Sequence, residues 1–122
     1  MATDDTPPSS DFSDDAAFRA AVGGVLQALL EQLDDLDVDA ADDLDVRLTP
    51  GNLQTTFEDT GAVFVLSQQT PTHELWLSAN LTAWHFRCRG GAWVERDTGE
   101  PMLAVLNRLY SEKLGEPVAF AL

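Results

Sequence analysis

At 122 residues the chain suits one domain, and its 44% hydrophobic content is enough for a real core. The formal charge of -14, from 21 acidic and 7 basic residues, argues against nucleic acid and anionic membranes as partners, since both need Lys and Arg to neutralise phosphate. It argues instead for cations or for a basic protein surface.

Residues 1–12 are rich in Asp, Ser, Thr and Pro and are expected to form a flexible acidic tail ahead of a single domain over 13–122. The opening MATDDTPPSSD has no apolar core, so it is no secretory signal. No apolar run reaches the ~18 residues of a membrane span. The expectation is a soluble, cytoplasmic protein.

From about Asp14, apolar residues recur at helical spacing: Phe18, Val22, Val25, Leu26, Leu29, Leu30, Leu33 and Leu36. Ser13, Asp14 or Asp15 can cap this helix. Gly23 and Gly24 weaken it by about 1 kcal/mol each relative to Ala, so a closely passing neighbour is expected there. Beyond Asp37 the period changes. Leu44, Val46 and Leu48 alternate with Asp45 and Arg47, as in a half-buried strand. Further strands are expected at Leu53–Glu58, Ala62–Gln68, His73–Ala79, Trp84–Cys88 and Trp93–Arg96, with turn residues between them. A second helix follows, with Pro101 at its first position and Gly115 at its end. Val118–Leu122 forms either a last short strand or an extended tail on the core. The order helix, strands, helix predicts an α+β two-layer sandwich. Its two terminal helices pack on one face of an antiparallel sheet of about six strands.

The stretch EQLDDLDVDAADDLD, residues 31–45, holds eight Asp or Glu among fifteen residues and no Lys or Arg. Glu31, Asp34 and Asp35 stand at i, i+3 and i+4, on one helix face opposite the leucines. Asp37 and Asp39 extend that face, and Asp42, Asp43 and Asp45 carry it into the first strand. Anions at a helix C-terminus meet the negative end of its dipole, so mere solubility is poorly served by this placement. Carboxylates are hard ligands for Ca²⁺, Mg²⁺, Mn²⁺ or iron. The spacing lacks the glycine and final Glu of an EF-hand, so metal binding is expected to be open, shallow and weak. A solvated acidic face and docking to a basic protein are the competing uses.

No phosphate-binding loop, dinucleotide fingerprint, nucleophile elbow or HExxH motif is present. Cys88, the only cysteine, lies three residues from His85, which puts the two on opposite faces of a strand. His73 and His85 have no ligand-spaced neighbours. No catalytic residue is expected. Along PTHELWLSAN, Leu75, Leu77 and Ala79 share one face and Glu74, Trp76 and Ser78 the other. If the leucines face the helices, Trp76 is either an exposed anchor or packs against sheet neighbours such as Gln69 or His85.

The segments LEQLDDLDVD, LSQQTPTHELWLSA and WHFRCRGGAWVERDTGE, followed by a second helix, resemble the frataxin family, most closely its bacterial branch (CyaY). The resemblance covers roughly residues 14–121. It implies a weak binder of ferrous and ferric iron, replaceable by other divalent cations, that regulates iron–sulfur cluster assembly, with iron donation as a further role. It implies that Glu31, Asp34, Asp35, Asp37 and Asp39 form an acidic ridge, joined by Asp43 and Asp45, that docks on a basic patch of the cysteine desulfurase. It implies too that the sheet face around Trp76, with Gln69 and His85, touches the desulfurase–scaffold complex. Asp42 is a further metal ligand if it compensates for Leu30 and Arg47, which stand where relatives carry acids. The rival function is a ferroxidase or iron store, which needs a preorganised site that the sequence does not present. A monomer is expected at this charge, with oligomerisation on iron left open.

Overall fold

The computed structural model of the protein describes residues 10–36 and 43–122. Helix α1 spans Asp15–Asp34, and Asp14 caps it by accepting the Ala17 N–H on Oδ1 at 2.8 Å. Its inward stripe, Phe18, Val22, Leu26, Leu29 and Leu33, is buried. Six strands follow: β1 Leu44–Thr49, β2 Asn52–Phe57, β3 Ala62–Gln69, β4 Glu74–Ala79, β5 Thr82–Arg89 and β6 Ala92–Glu95. They pair antiparallel in chain order, so β1 and β6 are the two edges. Helix α2 spans Met102–Leu114 and stops at Gly115, whose φ of 72° suits a residue without Cβ. Two helices thus cover one face of a six-stranded sheet.

Period-2 alternation explains the layering. Leu53 and Phe57 of β2, Phe64 and Leu66 of β3, Leu75 and Leu77 of β4, and Phe86 of β5 meet the helices in one core. Within it, Thr55 and Tyr110 hydrogen-bond through their hydroxyls at 2.7 Å. Residues 116–122 form an extended tail and no strand. Val118 and Phe120 are buried, and Gln32 on α1 both donates to the Ala121 carbonyl at 2.7 Å and accepts the Ala121 N–H at 2.8 Å.

The structure differs from the sequence expectations at several points. Ser10, Asp11 and Phe12, assigned to the tail, pack on the domain. The Ser10 hydroxyl donates to the His73 carbonyl and accepts the Cys88 N–H at 2.8 Å. Phe12 meets Phe18 and Trp93 at ring distances of 5.7 and 5.9 Å. Gly23 and Gly24 have no close neighbour: a Cβ on either meets nothing within 4 Å. Pro101 is the residue before α2, bridged to Val94, rather than its first residue. Finally, β4 begins at Glu74, because Thr70–Thr72 form one 3-10 turn and His73 takes a left-handed φ of 55°.

Candidate functional site

Helix α1 delivers Glu31, Asp34 and Asp35 to the surface, all exposed, at the end where its carbonyls point outward. No basic side chain lies in its last turn, so nothing there offsets the dipole's negative end. Asp43, just ahead of β1, and Asp45, on it, enter on the same end of the sandwich. The Glu58 N–H donates to the Asp43 carbonyl at 2.9 Å, which draws the β2–β3 turn, with exposed Glu58 and Asp59, into the acidic region. Sequence reasoning missed these two acids, although the pairing of Leu44 with Phe57 brings them there. Asp45 does not stand free: its Oδ2 accepts from Arg47 Nε at 3.0 Å. Asp37, Asp39 and Asp42 lie outside the described residues.

Among the described residues no three His, Cys, Asp or Glu converge into a group that could hold a metal ion. The donor set is exposed carboxylate oxygen, which matches hard cations in chemistry. Spread over α1 and the start of β1, the described carboxylates suit ions held loosely along a surface.

The histidines and the cysteine lie elsewhere. His73 is buried, stacks on Phe18 at 4.8 Å and bonds Asp15 at 2.7 Å through Nε2, at the opposite end of α1 from the ridge. Cys88 is buried on the helix-facing side, and burial, with the charge of Asp11, pushes its thiol pKa up. That is the reverse of what activates a nucleophile.

On the outer sheet face, Trp76 stands opposite Ser67 on β3 and His85 on β5. The leucines of β4 face the helices, as alternation requires, and Trp76 is half-buried. Its ring meets His85 edge to face at 4.7 Å. Gln69 donates to Ser67 Oγ at 3.2 Å and pairs with Glu74 in register, one rung from Trp76. The three sheet residues expected to face a partner therefore share one patch. Glu74, expected on the wet face, has 0% exposure. Its carboxylate accepts from Trp76 Nε1 at 3.0 Å and from Arg96 at 3.1 Å.

Glu95 was not singled out by sequence, yet it organises the turn after β6. Its carboxylate accepts the backbone N–H groups of His85, Asp97 and Thr98 at 2.9, 2.7 and 3.2 Å. The run Glu-Arg-Asp-Thr-Gly was the available signal: an acid followed by turn formers.

The sequence profile of the frataxin-like domain matches residues 11–116. The solved structure of frataxin from Psychromonas ingrahamii, described as a model for stability modulation within the CyaY family, superposes with a TM-score of 0.77. It is 21% identical, and the alignment covers 89% of this chain and 99% of that one. None of the helices among the described residues is long and apolar enough to cross a membrane.

Proposed function

Because the chain belongs to the frataxin-like family, we propose that it is an iron-binding regulator of iron–sulfur cluster assembly, with iron donation as a second capacity. The family is linked to iron binding and to that assembly process in general. In this reading Glu31, Asp34, Asp35, Asp43 and Asp45, with Asp37, Asp39 and Asp42 between them in sequence, hold iron weakly. They also dock on a basic surface of the cysteine desulfurase, while Trp76, Gln69 and His85 face the desulfurase–scaffold complex.

One observation carries the reading. The last turn of α1 presents uncompensated, exposed carboxylates at the negative end of the helix dipole. That arrangement costs folding stability and gains attraction for cations. Loose coordination favours rapid exchange, which suits sensing or transfer better than storage. The net charge steers a basic partner over distances of about one Debye length, ~8–10 Å at moderate salt. Iron and desulfurase then compete for or share the same carboxylates, so iron occupancy tunes the docked complex.

The test is the rate of cluster formation on the scaffold by the cognate desulfurase, with and without this protein, across a range of Fe²⁺. An iron-dependent change in rate is expected. An unchanged rate at every iron level, together with saturable, protein-dependent oxygen consumption on Fe²⁺, would replace this reading with the ferroxidase.

A further inference from the structure

We infer that Leu81 is an apolar peg that seats in a socket on the basic partner and holds the complex after the ridge has steered it in. The β4–β5 hairpin closes over two residues, since Ala79 pairs directly with Thr82. Asn80 and Leu81 fill the turn with φ of 51° and 62°. A two-residue turn with both φ positive suits Asn followed by Gly. Asn80 meets that rule. Leu81 breaks it, because its Cβ is strained in the left-handed region. The strain is not offset by packing: Leu81 is fully exposed. Both the turn and the solvent disfavour Leu here, and strain without internal compensation points to a use outside the fold.

The surroundings say which use. Among the described residues the exposed large hydrophobics are Val63, Leu81 and Leu122. Two of these three lie at the acidic end of the sheet. Asp45 pairs with Thr56, and Thr56 with Val63, so one rung of the outer face runs from the acidic edge to Val63. The pairing of Val65 with Ser78 then carries β3 alongside the strand that leads into the Leu81 turn. Glu58 and Asp59 occupy the neighbouring turn at the same end. A surface with acids around an apolar projection complements a basic surface with an apolar socket. The occupant is therefore the basic face of the desulfurase, and the inference rests on the ridge-docking reading.

Charge and peg act at different stages. Long-range charge sets the association rate, whereas a desolvated apolar contact sets the dissociation rate. The experiment measures binding kinetics of the purified desulfurase to the full chain and to Leu81→Gly, Leu81→Asn and the double variant Asp34→Lys/Asp35→Lys, with a melting curve for each. Leu81→Gly and Leu81→Asn relieve the strain, so both fold, and Tm should rise by roughly 2–6 °C. Their dissociation should be about tenfold faster with association unchanged. The Lys variant should instead lose association rate. Dissociation equal to wild type in both Leu81 variants overturns the peg, and an unchanged Tm overturns the strain argument. If the wild-type chain itself fails to bind, the docking reading fails as well, an outcome visible without any variant.

Discussion

Trp76 Nε1 donates to Oε1 of Glu74 at 3.0 Å, two residues back on the same strand and the same face. The bond fixes how the indole lies on the sheet, because Glu74 is itself gripped by Arg96 at 3.1 Å and is shut off from water. Trp76 is thus a held ring, not a free one. Replacing Glu74 with Ala should cost about 1–3 kcal/mol, since the indole N–H loses its acceptor inside a partly buried cluster. Urea unfolding measures the loss. A broadened or shifted Trp76 indole N–H resonance would report the loosened ring, and a cost below about 0.5 kcal/mol would mean that the cluster is an ordinary surface pair.

The ridge should trade stability for binding. Asp34→Lys with Asp35→Lys replaces two anions at the negative end of α1 by cations, a gain of about 0.3–1 kcal/mol per site. The variant should melt higher than the wild type at low ionic strength while losing desulfurase binding. The gain should shrink in 1 M salt, where the Debye length falls to about 3 Å. A lower Tm in low salt would contradict the dipole argument.

The core pair Thr55 and Tyr110 makes a cleaner energetic prediction. Burial drives the Tyr110 pKa up to about 12, against an opposing effect of the Thr55 hydrogen bond. Tyr110→Phe alone strands the Thr55 hydroxyl and should cost about 1–3 kcal/mol, while Thr55→Val with Tyr110→Phe should recover much of it. Because the folded pKa is raised above the usual 10, the wild type should lose stability as pH rises from about 10 towards 12, and Tyr110→Phe should not show that loss.

Glu95 contributes to the acid limb. Burial acts to raise its pKa, but the backbone N–H groups of His85, Asp97 and Thr98 together outweigh burial and hold it below the ordinary 4.5. The folded value lies below the unfolded one, so the folded state binds fewer protons. The contribution is whole above about pH 4.5 and drains away as pH falls through the folded value. Glu95→Gln should be less stable by about 1–3 kcal/mol at neutral pH. The gap from wild type should narrow below about pH 4. A gap that stays constant with pH would show that shape, not charge, is what the turn requires.

Periodicity carried most of the architecture: the leucine stripe of α1, the alternation of β2 and β4, and Gly115 all fall where spacing put them. It could not carry Glu74. Alternation assigns a residue to a face and is silent on whether its neighbours, here Trp76 and Arg96, cover it. Ser10 was hidden by composition, since a polar segment reads as solvated even when its hydroxyl and the Asp11 backbone are bonded to β5. The double glycine misled for the opposite reason: Gly usually marks close approach, yet Gly23 and Gly24 face open space. For the candidate site, the helical spacing of Glu31, Asp34 and Asp35 was enough to put them together. Glu58 and Asp59 join them only through strand register, which no single segment contains.

Gln32 clasps Ala121 from both sides, and it sits between Glu31 and Asp34 on the chain. The segment at Ala121 is therefore wired to the helical turn that presents the acids. An affinity tag, a dye or a surface linker attached beyond Leu122 should therefore strain that turn, and removing Ala121 should release it. Ser10 bonds β5 at the other end of α1, so attachment ahead of it should disturb the acidic turn less, and assays of iron or partner binding are better made that way.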